Sequence, residues 1–210
     1  MKRIFILLSI FLVTGAVQAQ SFLVKKNIIS TSLFTPFEDP GGYSLSYERM
    51  LDKGQSLNAA QFSVKLNTKL INDKKPWAYT EFEGVKIYDN EAFQYSGFSF
   101  VPEVKYYFGW DSPFGPYFSL YGSYAQYTES FKDMSDNVNN YNTKFTRIGR
   151  GIGVGYQFRI GRLLAMDIGG GYIMEDVSSK QQKFGETDFT SLDKEKDDGL
   201  RVAVTFGVSF

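Results

Sequence analysis

Cysteine and histidine are both missing from this chain of 210 residues. Without cysteine no disulfide can staple the fold, and no lipid-bearing cysteine can follow a leader. Without histidine and cysteine together, the usual general base and the best side-chain nucleophile are gone. Enzyme chemistry would have to rest on carboxylates alone, and the expectation is that the protein is not an enzyme. An excess of one charge is missing too. The 23 Lys+Arg balance the 23 Asp+Glu, for a net charge of zero, so no basic patch marks nucleic acid as a partner. Beyond the first twenty residues no segment approaches the about 20 continuous apolar residues that a membrane helix needs.

Those first residues carry an address. Lys2 and Arg3 precede an apolar run, Ile4 to Val13, broken only by Ser9, and Val17-Gln18-Ala19 is a small-residue cleavage site. The pattern predicts a cleaved signal peptide over 1–19 and a single mature domain over 20–210, since the apolar run is too short to span.

What the chain has in abundance is Phe (20), Tyr (14) and Gly (20). It also alternates. From Leu200 to Phe210 every even position is large and apolar (Leu200, Val202, Val204, Phe206, Val208, Phe210), while Arg201, Ala203, Thr205, Gly207 and Ser209 lie between them. Such strands suit a transmembrane barrel, where the apolar face meets lipid and the polar face lines the lumen. Eight strands are predicted at about 27–36, 43–51, 55–67, 96–109, 117–131, 147–160, 163–176 and 200–210. Pro102 falls inside the fourth, which predicts a bulge or irregularity there. The connections after strands two, four and six are short, and those after three, five and seven are long. That asymmetry places both termini on the periplasmic side of an outer membrane.

The chain resembles the small OmpA-type outer-membrane barrels, in particular the Bacteroidetes outer-membrane β-barrel domain family. The residues carrying the resemblance are the signal peptide, Tyr43-Ser44-Leu45-Ser46-Tyr47-Glu48-Arg49, Pro102-Glu103-Val104-Lys105-Tyr106-Tyr107-Phe108, Gly115-Pro116-Tyr117-Phe118, Gly151-Ile152-Gly153-Val154-Gly155-Tyr156 and the terminal strand. The resemblance covers essentially the whole mature chain. It implies an all-β, eight-stranded, antiparallel up-and-down barrel in the outer membrane. Val204, Phe206, Val208 and Phe210 then stand as the C-terminal signal read by the barrel-assembly machinery. The larger OmpA proteins add a soluble peptidoglycan-binding domain, which this sequence lacks, so a cell-wall tether is not carried over. Enzymes among outer-membrane barrels resemble one another in using a histidine, which is absent here.

On this facing Glu48, Lys65, Glu103, Lys105, Arg147, Arg159, Asp167, Glu175 and Arg201 all point into the lumen. Charges there must be paired or hydrated, and eight strands leave a space that side chains can fill. A closed salt-bridge plug is expected, with Arg147 roughly opposite Glu175. An ion pathway is the alternative. Gly149, Gly151, Gly153 and Gly155 repeat every second residue, with no following helix, so they read as a strand face stripped for bulky neighbours and not as a nucleotide loop.

The acidic and amide residues Asp133, Asp136, Asn137, Asn139 and Asn140 fail the spacing of a calcium loop. No metal and no cofactor is expected. The run 193–198 reads as a solvated loop tip. Trp77, Tyr79, Phe82, Tyr88 and Phe93 fall in a predicted external loop over 68–95; they either fold over the barrel mouth or form a contact surface for a partner. The expected role is structural or accessory, with outer-membrane lipid and a larger outer-membrane complex as partners. A narrow pore or carrier for small or hydrophobic molecules, and a surface adhesin acting through the outer loops, are the alternatives.

Overall fold

The computed structural model describes residues 27–33, 40–51, 61–75, 78–82, 85–89, 91–108, 114–133, 140–183, 185–186, 188–192 and 194–210. The signal-peptide segment 1–19, Trp77 and the acidic stretch at 136–139 lie outside the described residues. Eleven strands follow in chain order: β1 (Asn27–Ser32), β2 (Gly42–Leu51), β3 (Gln61–Lys75), β4 (Ala78–Phe82), β5 (Val85–Asp89), β6 (Glu91–Tyr107), β7 (Gly115–Asp133), β8 (Tyr141–Ile160), β9 (Leu164–Lys183), β10 (Thr190–Ser191) and β11 (Glu195–Ser209).

Every ladder is antiparallel. The order runs β9-β11-β1-β2-β3-β6-β7-β8 and returns to β9, so eight strands close a ring; β10 hangs on β9 alone, and β4 and β5 form a separate hairpin. Closure is made by the two ends of the chain. Ile28 to Ser32 pair with Ser209 to Thr205. Asn27 N–H donates to Phe210 O at 3.1 Å, and Phe210 N–H donates to Asn27 O at 2.9 Å. This short ladder joins the last strand to the first along Thr205–Ser209.

The barrel is inside out relative to a protein with an apolar core. Leu200 is 87 % exposed and Tyr43 73 %, whereas Lys105 and Ser63 are wholly buried. Period-two alternation does this on the strands of the ring: Phe98, Phe100 and Val104 of β6 face out, and Glu103, Lys105 and Tyr107 face in. The outward apolar runs (62–70, 98–108, 116–124, 148–160, 164–174 and 200–208) each span about 9–13 residues, the length a tilted strand needs to cross a hydrocarbon layer.

Beyond that band the strands keep their facing, but the apolar residues change sides. On β8 the outward positions become Thr146, Lys144 and Asn142, while Phe145 and Tyr141 turn inward. On β7, Gln126, Thr128 and Ser130 face out while Tyr127 and Phe131 are buried within. Tyr127 stacks on Phe145 with ring centroids 5.0 Å apart, and Phe131 on Tyr141 at 4.8 Å. Here the ring has a small apolar core of its own, with water as its natural exterior.

This corrects several predicted boundaries. Residues 68–95 are largely strand, not loop: β3 runs on to Lys75, β6 starts at Glu91, and the β4–β5 hairpin fills the interval. β8 starts at Tyr141, β9 extends to Lys183 and β11 begins at Glu195. The first strand is described over Asn27–Ser32 with a bend at Leu33, and residues 34–36 of its predicted span lie outside the described residues. At Pro102 the irregularity is an interrupted ladder and not a bulge: Phe100 pairs with Tyr124 and Glu103 with Tyr121, so the register is continuous while the rungs at Val101 and Pro102 are missing. A proline without an N–H removes hydrogen bonds from the ladder without adding a residue to it.

Candidate functional site

The lumen is filled at the end of the barrel that carries the short 161–163 turn and the Asn27–Phe210 pair. Four inward positions supply the charges, each near the turn end of its strand: Glu48 on β2, Lys65 on β3, Lys105 on β6 and Asp167 on β9. Lys105 Nζ lies 2.7 Å from Asp167 Oδ2 and 3.3 Å from Glu48 Oε2. Lys65 Nζ lies 2.8 Å from the same Asp167 oxygen. Two cations therefore meet two anions. The other oxygen of each carboxylate is used as well. Glu48 Oε1 accepts from Ser63 Oγ and Tyr107 OH, both at 2.6 Å, and Asp167 Oδ1 accepts from Tyr117 OH at 2.7 Å. Gln157 Oε1 is 3.3 Å from Lys105 Nζ, and the ammonium also stands 4.2 Å from the centre of the Tyr117 ring. Desolvating ions is offset only when geometry and hydrogen bonding are this complete.

Glycine makes room for the layer. Tyr117 and Tyr121 of β7 lie flat across β8 and β9. A Cβ at Gly151 would sit 2.5 Å from the Tyr121 ring, one at Gly171 would sit 2.9 Å from its hydroxyl, and one at Gly169 would sit 2.6 Å from the Tyr117 hydroxyl. The alternate glycines at 151–155 are a notch for tyrosines from the adjacent strand, while Gly149 makes room for Ser123 and Glu175.

Beside the layer is a gap of about 30 Å³, with Glu103, Tyr121 and Arg201 on its walls, enough for about one water molecule. Glu103 is buried and Arg201 lies 4.5 Å above the Tyr121 ring. Further up, the lumen opens into a vestibule of about 470 Å³ lined by Ser44, Asn67, Lys69, Ser99, Arg147 and Glu175 among others. Arg147 spans this space: its Nη1 is 3.2 Å from Glu175 and its Nη2 2.6 Å from Asp197. Ser123 Oγ donates to Glu175 at 2.8 Å, and Arg147 Nε is buried with no partner among the described residues.

Of the nine predicted lumen charges, Glu48, Lys65, Lys105 and Asp167 meet in one layer, and Arg147 and Glu175 form a second pair. Two corrections apply. Arg147 is directly opposite Val177, not Glu175, and reaches Glu175 diagonally from two residues away. Arg159 is exposed at the turn end, its guanidinium 4.3 Å above the Phe114 ring, instead of lying deep in the lumen. Tyr107, Tyr117, Ser63 and Gln157, which complete the layer, are not among the predicted site residues; their inward parity beside Lys105, Lys65 and Arg159 is the signal that could have found them. Of the predicted aromatic loop, Tyr79 and Tyr88 are cross-strand partners on the β4–β5 hairpin, with Phe82 at its turn. Phe93 belongs to β6 and packs 5.1 Å from Phe131. Val204, Phe206 and Val208 follow the outward parity of β11 up to the pinned Phe210. Among the described residues no group of three or more acidic side chains could hold a metal ion.

A closed, up-and-down antiparallel barrel, apolar outside and ionic within, defines the class of this protein. Residues 4–206 match the family described as "Protein of unknown function (DUF3575)", and the chain belongs to that family. Among solved structures it is similar in fold to a major outer membrane protein from Thermus thermophilus, at 11 % identity and a TM-score of 0.56, over 89 % of this chain and 98 % of that one. No curated protein matches it.

Proposed function

We propose that this protein is an outer-membrane β-barrel whose lumen is sealed, and that it serves as a structural or accessory component of that membrane. One observation carries the reading: an exposed apolar belt surrounds a buried layer of two lysines and two carboxylates with no unpaired member. The fold shared with an outer membrane protein and the N-terminal signal-peptide pattern support the same compartment. With the short 161–163 turn, Asn27 and Phe210 at one end of the ring, that end is read as periplasmic and the vestibule as facing outward. The resemblance to OmpA-type barrels of Bacteroidetes belongs to this proposal. So do its partners: membrane lipid, the assembly machinery at the terminal strand, and a larger outer-membrane complex. The lack of histidine and cysteine supports a non-enzymatic role.

The test is purified protein refolded into planar bilayers. The expected result is folded protein that protects its strands from protease and conducts no steady current. A stable ion-selective conductance from the wild-type chain would overturn the sealed reading. Native pull-down from solubilised membranes, with mass-spectrometric identification, then names the complex.

A further inference from the structure

The outer face of β8 carries a feature that an apolar belt does not explain. Arg150 points outward from β8 between Ile148 and Ile152, in the upper part of the belt, and is exposed. Its cross-strand neighbours are Gly122 on one side and Met174 on the other. Glycine leaves the first flank bare, and beyond it lies the Pro102 ring, 3.8 Å from where a Gly122 Cβ would be. On the second flank the row continues from Met174 to Asp198, and the row above runs Ile148, Asp176, Lys196. These side chains surround a groove of about 320 Å³.

Two cations and two carboxylates thus stand around one depression at the edge of an apolar surface. Asp176 and Lys196 are directly opposite on adjacent strands, a spacing of about 5 Å between Cβ atoms that normally favours pairing. Yet among the described residues the four close no ion pair with one another. An arginine on the lipid face is costly in mid-membrane and nearly free at the interface, so Arg150 fixes this groove at headgroup depth.

We propose that the groove seats the phosphoethanolamine headgroup of a membrane lipid. The phosphate takes Arg150 and Lys196, where guanidinium and ammonium donate charge-assisted hydrogen bonds. The headgroup ammonium takes Asp176 and Asp198. The acyl chains run down over Ile152 and Met174. A purely anionic headgroup would satisfy the cations and leave two carboxylates facing its phosphate. A choline headgroup has no N–H to donate to them. The zwitterion with a primary ammonium matches all four charges. The proposal rests on the membrane-barrel reading above.

The test uses the full mature chain folded in a maltoside detergent, which carries neither phosphate nor charge. Short-chain phosphatidylethanolamine, phosphatidylcholine and phosphatidylglycerol are added in turn, and bound lipid is counted by native mass spectrometry. The expected result is one retained phosphatidylethanolamine, bound at least roughly tenfold more tightly than the other two, the equivalent of about 1.4 kcal/mol. Arg150→Ala should remove that adduct. Asp198→Asn should abolish the preference for ethanolamine over choline while leaving weak binding. Equal retention of the three lipids, or an adduct unchanged in Arg150→Ala, overturns the proposal. Water-soluble O-phosphoethanolamine binding as tightly as the lipid overturns the lipid source. Folding of each variant is read separately from its heat-dependent shift in gel mobility. A barrel that folds in detergent but shows no headgroup preference sinks this inference alone; a chain that never folds in detergent sinks the membrane reading.

Discussion

Lys105 is the residue on which the interior turns. It is wholly buried and touches both carboxylates of the layer, and Glu48 pairs with no other ammonium among the described residues, its cross-strand partner Lys65 being turned to Asp167. Asp167 also holds Lys65. Replacing Lys105 by methionine keeps most of the volume and strands a carboxylate, a change that costs about 3–5 kcal/mol in buried pairs. Lys105→Met is therefore expected to lower the unfolding free energy by that order in urea titrations of the detergent-folded protein. Tyr107→Phe removes one hydroxyl from Glu48 and should cost less, about 1–3 kcal/mol. If Lys105→Met unfolds at the wild-type midpoint, the layer does not hold the lumen together. Lys65→Met should be milder than Lys105→Met, because Asp167 keeps its second lysine and its tyrosine.

At the scale of the strand, the same alternation that reveals the barrel also hides part of it. The facing of the belt was legible because large apolar and small or polar residues alternate without error through Val202, Val204 and Phe206. The inward parity of Lys105 and Asp167 followed from it. The vestibule ends of β8 and β9 were not legible, since there the apolar side inverts: Lys144 and Lys180 face out and Phe145 and Val177 face in, whereas β7, predicted to 131, was legible almost to its end at Asp133. Without the outward apolar half of the pattern, a polar strand reads as a loop. Arg150 escaped for the opposite reason, as a single charge inside an apolar face. The glycines were legible as a stripped face, but which tyrosines they admit depends on register. Gly151→Val is expected to displace Tyr121 and destabilise the barrel, whereas Gly199→Ala, with nothing within 4 Å of its added carbon, should be tolerated. The two sides of the inversion are separable as well. Val202→Lys, on the exposed belt, should cost about 2–4 kcal/mol in a bilayer if it sits near mid-membrane, while Lys180→Val above the belt should stay within about 0.5 kcal/mol. Equal effects in reversible lipid-refolding experiments would place the membrane boundary elsewhere.

For the whole molecule, the arrangement amounts to a cup: closed at the turn end, open in the vestibule, wrapped by an apolar band. The chain has no native cysteine, so single introduced thiols report on this shape without background. Ser99 lines the vestibule, and Ser63 is wholly buried against Glu48 in the ionic layer. On the proposed orientation, a membrane-impermeant maleimide added to intact cells should label Ser99→Cys quickly. Ser63→Cys should remain unlabelled from either face while the barrel is folded. Adding Lys105→Met to Ser63→Cys should raise labelling if the loss of that ammonium loosens the seal, because the stranded Glu48 then draws water into the layer. Ser99→Cys labelled only after the cells are broken would reverse the orientation. Ser63→Cys labelled in the otherwise unaltered barrel would show that water and solutes pass the layer, leaving the cup without a floor and a pore as the better description.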